Sequence, residues 1–253
     1  MRHLDYFYDM DKLLIGTSAF YNGKWKGIFY PETLASKEWF AFYCAHFNTF
    51  EINATFYKFP TLKTMQGWNS KSPEGFTYAV KAPKLITHIK RFENCSEEIR
   101  QFYEVCQAGL QEKLGALLFQ LPPSFSYSEQ RLELILSNLD PALPNVVEFR
   151  HKSWWRDDVS DALEKNNTAF CTPSYPGLPD DVIITRDIAY IRLHGTPKLF
   201  YSSYAKDDLM RFLAQAATAK TVFIYFNNTA SAAGIENALL VKSLSPNALS
   251  LGK

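Results

Sequence analysis

Eight short runs rich in β-branched and aromatic residues recur along the chain, and they limit its fold more than any other feature. They are LLIGTSA (13–19), TFEINATF (49–56), TYAVKAP (77–83), GALLFQLP (115–122), NVVEFRH (145–151), TAFCTPS (168–174), IAYIRLHG (188–195) and TVFIYFNN (221–228). Such content suits β-strands. Helix-like segments separate most of them, at 36–47, 96–113, 128–139, 157–167, 206–217 and 234–244. Ser96 and Ser128 stand where N-caps are expected, each followed by acidic residues. The segment TLKTMQGWNSK, between the second and third runs, is the weakest helix because it contains Gly67. Repeated strand–helix alternation predicts an α/β fold, a single (β/α)8 TIM barrel, with one domain over residues 1–253. An open doubly wound sheet is the alternative. It would carry a Gly-rich phosphate turn after its first strand, and IGTSAFYNGKWKG is not one.

Composition narrows the function. The net charge of +1 gives no global attraction to nucleic acid or anionic membranes, so electrostatic specificity has to be local. The four cysteines, Cys44, Cys95, Cys106 and Cys171, show neither CxxC spacing nor a zinc pattern, which points to free thiols in a reducing compartment. The N-terminal MRHLDYFYDMDK is too polar for a signal peptide, and no apolar run approaches ~20 residues. The expectation is a cytoplasmic protein with no membrane-spanning segment.

The stretch NVVEFRHKSWW shows where chemistry is expected. It begins as a buried strand and ends in two charges, a histidine and two tryptophans. Side chains alternate along a strand, and barrels of this kind carry their sites at the C-terminal strand ends. Glu148 and Arg150 therefore share a face, assigned to the barrel mouth. The other runs end similarly: Glu51, Asn53 and Thr55 in the second, Lys81 in the third, Gln120 in the fourth, Arg192 and His194 in the seventh, Tyr225 and Asn227 in the eighth. Buried charges without partners are too costly, so this set must pair internally, face water or meet a ligand. Glu148 is expected to contact Lys81, Arg150 or Arg192.

The blocks FNTFEINATFYKFP, LGALLFQLPPSF, VVEFRHKSWW, YIRLHGTP and VFIYFNN followed by ENALLVKSL resemble the signature blocks of the YecE-like family, domain of unknown function 72. IGTSAFYNGKWKGIFYPE resembles it too, with Ser18, Ala19 and Phe20 in place of the usual Ser-Gly-Trp. The resemblance runs from about residue 13 to residue 244 and implies a TIM barrel. It brings no established reaction.

Glu51, Glu148 and His194 are the catalytic candidates, with the glutamates as an acid/base pair and His194 as a proton carrier. Asn53, Tyr57, Lys81, Gln120, Arg150, Trp154, Arg192, Tyr225 and Asn227 are the candidate ligand contacts. The competing reading is a purely structural ion network, with Arg150 or Arg192 clamping the glutamates. A retaining glycosidase of the large barrel clan fits poorly, since its carboxylates follow strands four and seven, where Gln120 and His194 stand here. A metal on Glu51, Glu148 and His194 would resemble sugar isomerases or barrel endonucleases. Lys81, Arg150 and Arg192 compete for those carboxylates, so no metal and no cofactor is expected. Cys171 reads as a buried thiol rather than a nucleophile.

Two function classes follow. The first is an enzyme acting on a small anionic, sugar-like or nucleotide-like molecule, with an oxyanion held by Lys81, Arg150, Arg192 and His194. The second is a nucleic-acid-binding or processing protein of the barrel-endonuclease type. It would use Lys84, His88, Lys90 and Arg91 with the loop aromatics Phe20, Tyr21, Trp25, Phe29, Tyr30, Trp155, Tyr201 and Tyr204. The oligomeric state is open.

Overall fold

All eight runs form strands, β1 Lys12–Thr17, β2 Thr49–Ile52, β3 Thr77–Lys81, β4 Leu114–Gln120, β5 Asn145–Glu148, β6 Ala169–Ser174, β7 Ile188–Leu193 and β8 Thr221–Phe226. The computed structural model describes residues 12–244. The N-terminal stretch read for a signal peptide, up to residue 11, and the outer ends of the expected 1–253 domain lie outside the described residues. The strands are parallel and make one eight-stranded sheet in the order β1-β8-β7-β6-β5-β4-β3-β2. Among the described residues seven α-helices follow the strands: α1 Trp39–His46, α2 Leu62–Lys71, α3 Ser96–Leu110, α4 Glu129–Asn138, α5 Asp157–Lys165, α6 Lys206–Ala216 and α7 Ala233–Leu244. This is a (β/α)8 barrel, with the helix between β6 and β7 replaced by an irregular connection. No helix of the described residues is long and apolar enough to cross a membrane.

Local signals and packing disagree at two helices. Ser128 caps α4, accepting from Arg131 N at 3.3 Å. Ser96 does not cap α3: it is the first helical residue, and its hydroxyl turns to Asn138 Oδ1 at 3.2 Å. Gly67 does not prevent α2, because Thr61 caps that helix and Met65 seats it on α3. The seat requires a glycine opposite, since a Cβ on Gly109 would lie 2.2 Å from Met65 Cβ. Tertiary packing outweighs the roughly 1 kcal/mol propensity cost of one helical glycine.

The barrel closes between β1 and β2 through side chains. Asn48 stands in for a strand neighbour: its Oδ1 accepts from Ile15 N at 3.0 Å and its Nδ2 donates to Leu13 O at 2.9 Å. The Tyr43 hydroxyl continues the seam, accepting from Thr17 N at 2.8 Å and donating to Thr49 O at 3.0 Å. Gly16 permits the approach, because a Cβ there would lie 2.3 Å from Thr49 O.

Inside the barrel, Leu14, Ala79, Leu118, Val146, Cys171, Tyr190 and Tyr225 belong to one buried apolar cluster. Strand periodicity then dictates the next inward position toward each C-terminal end. Two residues beyond Ala79, Leu118, Val146, Tyr190 and Tyr225 come Lys81, Gln120, Glu148, Arg192 and Asn227. The polar mouth is the next layer of the same interior. All four cysteines are free thiols.

The seam sets a test. Tyr43→Phe removes the hydroxyl that links Thr17 to Thr49, and should lower the free energy of urea unfolding by about 1–3 kcal/mol. Gly16→Ala should cost more, because the added carbon meets backbone rather than a movable side chain.

Candidate functional site

Arg192 crosses the barrel mouth and joins two carboxylates. Its Nε and Nη2 donate to Glu51 Oε2 and Oε1 at 2.9 and 2.6 Å, and its Nη1 donates to Glu148 Oε2 at 2.5 Å. Both glutamates are 0% exposed. Glu51 also accepts from the Tyr190 hydroxyl at 2.8 Å, Asn53 Nδ2 at 2.9 Å and Asn227 Nδ2 at 3.2 Å. Arg150 Nε donates to the remaining oxygen of Glu148. Glu148 therefore meets two of its three expected partners.

The electrostatics follow from this geometry. Burial opposes charge on Glu148, but Arg150 and Arg192 outweigh it and hold the carboxyl well below its usual range. Burial likewise opposes the charge on Glu51, and Arg192, with the Tyr190 and Asn53 donors, lowers its pKa. Arg150 Nη2 donates to His194 Nε2 at 2.9 Å. Arginine carries donors only, so Nε2 is the acceptor and the ring proton sits on Nδ1. Burial and then Arg150 push His194 down to about 3, so it is neutral at physiological pH. Its Nδ1 is buried without a partner in the described protein.

Lys81 stands apart. Its Nζ lies 4.2 Å over the Phe56 ring and forms no ion pair within the described residues. Burial and then Arg192 lower it to about 8. Beside it His88 is pushed down to about 4 by burial and then by Lys81. Three cations, Lys81, Arg150 and Arg192, thus face two carboxylates, leaving one positive charge in excess. Among the described residues no three His, Cys, Asp or Glu side chains gather as metal ligands would.

The structure brings together Glu51, Asn53, Lys81, Glu148, Arg150, Arg192, His194 and Asn227. Gln120 pairs in register with Glu148 and donates to Leu121 O at 2.8 Å. Tyr225 lies one layer deeper, its hydroxyl bonded to Thr49 Oγ1 at 2.5 Å. Trp154 is outside the barrel interior, stacked on Phe149 at 4.1 Å and donating to Phe125 O at 2.7 Å. Tyr57 lies on the loop after β2 and is 76% exposed. Trp25, Phe29, Tyr30 and Tyr204 are buried, whereas Tyr21, Phe200 and Tyr201 are exposed on βα connections.

Sequence reasoning missed three participants. Tyr190 shares a strand face with Arg192, and parity alone would have found it. Phe56 under Lys81 lies in a 3-10 turn, Ala54–Phe56, that ends the run expected as a strand over 49–56, and Tyr175, whose ring lies 4.3 Å from the Arg150 guanidinium carbon, sits on the irregular connection after β6.

A parallel eight-stranded barrel with its charged groups gathered at the C-terminal ends defines the class, a (β/α)8 protein with a polar mouth. The chain belongs to the DUF72 family, described as proteins of unknown function, whose model matches residues 14–249. It is similar to a crystal structure of a DUF72 family protein from Thermotoga maritima MSB8, with a TM-score of 0.82 and 27% identity over 92% of this chain and 98% of that one. A DUF72 family protein from Enterococcus faecalis V583 shares the fold, with a TM-score of 0.78 and 20% identity over 92% of this chain and 94% of that one. UPF0759 protein YunF of Bacillus subtilis (strain 168) is 27% identical over 133 residues, 50% of this chain and 47% of that protein, so the match spans about half the length of that relative.

Two outcomes test the network. Arg192→Met strands buried Glu51 and leaves Glu148 with Arg150 alone, and should destabilise the fold by about 3–5 kcal/mol. Adding Glu51→Gln and Glu148→Gln to that variant should recover part of the loss. His194 sets a pH response. Its folded value of about 3 lies below its ordinary 6.5, so on acidification the unfolded chain takes up this proton first. Its stabilisation is complete above pH 6.5 and is lost as pH falls toward 3, with a slope of up to ~1.4 kcal/mol per pH unit. His88 acts in the same direction. Urea midpoints between pH 6.5 and 4.5 should therefore fall less steeply in His194→Asn than in the parent.

Proposed function

We propose that the mouth binds a small anionic, sugar-like or nucleotide-like molecule and that the protein is an enzyme acting on it. The observation that carries this reading is Lys81, a half-buried cation left over after two arginines have neutralised two glutamates. An oxyanion would supply its missing counter-charge, in surroundings where charges attract more strongly than in water. The same mouth holds buried polar atoms without protein partners. Asn53 Oδ1 and Asn227 Oδ1 flank Glu51 as acceptors, and His194 Nδ1–H is a donor. Acceptors beside an anion site suit the hydroxyls of a sugar-like ligand. Exposed Tyr21, Tyr57, Phe200 and Tyr201 on βα connections add aromatic surface at the same end of the barrel.

The division of labour shifts within this reading. Glu51 and Glu148, held ionised by arginines, act as fixed charge, and His194 acts as a hydrogen-bond donor. Lys81, lowered to about 8 by burial and then by Arg192, is the group suited to moving a proton. The nucleic-acid reading draws less support. Lys90 bonds Glu98 and Asn94 O, and Arg91 bonds His88 O and Ser124, so much of that basic loop is engaged locally.

Inorganic phosphate should raise the melting temperature saturably, beyond chloride at matched ionic strength, through preferential binding to the folded state. Lys81→Met should abolish the saturable part, and Lys81→Arg should retain most of it. A linear response that is identical in parent and Lys81→Met removes the anion site. Oligonucleotide binding with a steep salt dependence, lost in variants of Lys84 and Arg91, would favour the nucleic-acid reading instead.

A further inference from the structure

We propose that Lys81 is the amine of a carbonyl-binding site, whose Nζ condenses with the aldehyde or ketone of a small oxo-acid or sugar phosphate to form an imine. The inference rests on the mouth being the ligand site, and it names both the reactive group and the substrate class.

Comparison with the chain's other shielded lysines carries the argument. Lys113 is buried, but its ammonium donates to Asn69 O at 2.7 Å, Ser72 O at 2.8 Å and Ser72 Oγ at 3.1 Å. Lys90 is partly buried and pairs with Glu98, and Lys242, also partly buried, donates to His46 O. Backbone and hydroxyl acceptors or a carboxylate engage these amines structurally. Lys81 has neither. It projects into the barrel from the end of β3, and its nearest aromatic neighbour is the Phe56 face. The groups facing it are Glu51 from β2, His88 from the β3 connection, Glu148 and Arg150 at the end of β5, and Arg192 from β7. Each carboxylate is already claimed by arginine, so neither pairs with the lysine. An amine that is desolvated, close to other cations and unpaired loses its proton readily and becomes a nucleophile. Its value of about 8 agrees with that geometry.

The chemistry balances without a redox partner. The Nζ lone pair attacks the carbonyl carbon, a C–N bond forms, and the oxygen becomes a hydroxyl. Transfer of a proton from nitrogen and loss of that hydroxyl as water leave a C=N bond. Protonated, the imine draws electrons from the adjacent carbon. That is the state needed to cleave a neighbouring carbon–carbon bond or to remove a neighbouring proton. Arg150 and His194 Nδ1–H are donors for the carboxylate or phosphate that such a substrate carries.

The test uses the full chain with glyoxylate, an aldehyde bearing a carboxylate, and cyanoborohydride, which reduces an imine to a stable carboxymethyl amine. Peptide mapping by mass spectrometry reads which lysines react. At pH 7, Lys81 should be modified at least about tenfold faster than the exposed Lys37, because an amine of lowered pKa has far more free base at that pH. The Lys81 rate should level off above about pH 8. Inorganic phosphate should slow glyoxylate more than it slows formaldehyde, which lacks the anion. Lys81→Arg should lose the adduct at this position and keep the phosphate-induced rise in melting temperature. Modification of Lys81 at the rate of Lys37, with the phosphate response intact, overturns the imine while leaving the anion site standing. Fast modification of Lys81 without any phosphate response supports the amine and overturns the anion site.

Discussion

The two glutamates inside the barrel exist as charges because arginine lies against each of them, and Arg192 is the one that serves both. Each carboxylate is fully removed from water, a position that strongly favours the neutral acid unless a partner is fixed in place. Arg192 supplies that partner to both at once, with its planar fork on Glu51 and its third nitrogen on Glu148. The three residues come from β2, β5 and β7, so the clamp ties together widely separated parts of the sheet. Buried ion pairs add little net stability, but removing one member leaves an uncompensated charge. Every strand carrying the clamp is therefore held to one register.

The rest of the mouth is arranged by what this clamp consumes. Tyr190, Asn53 and Asn227 turn their donors toward Glu51, which leaves both asparagine carbonyls without protein partners. Arg150 takes the free side of Glu148 and reaches His194, fixing a neutral imidazole with its proton on Nδ1. With both carboxylates occupied, Lys81 is the cation left over. A site assembled this way presents an amine, a donor and acceptors above a neutralised floor, and it is on this arrangement that the proposed anionic ligand rests. Its neutralised floor also explains how a chain of net charge +1 can concentrate positive potential at one place.

Much of the architecture was legible before any coordinates. Strand character is written in contiguous residues, so the eight runs could be read directly, and parity along NVVEFRH put Glu148 and Arg150 on the same side. Other features were illegible for a common reason. Ser96 carries a cap signal that Ser128 also carries, yet only Ser128 caps, because Ser96 falls one position inside its helix, after Cys95, with its hydroxyl on Asn138. Trp154 follows a mouth strand closely, but its indole turns back against Phe149 and the helix layer. The closing seam uses Asn48 and Tyr43, residues that no strand pattern marks.

The sequence by itself determined the barrel, its parallel strands, and which residues would face inward at the C-terminal ends, since these depend on local propensity and a period of two. Tertiary structure alone decided which charges neutralise one another. Pairing depends on distances between strands that lie up to 141 positions apart, from Glu51 to Arg192. The same residue list could have made Lys81 a counter-ion and left Arg150 free. Closure of the sheet set the arginines on the carboxylates and left the lysine with its charge unmatched.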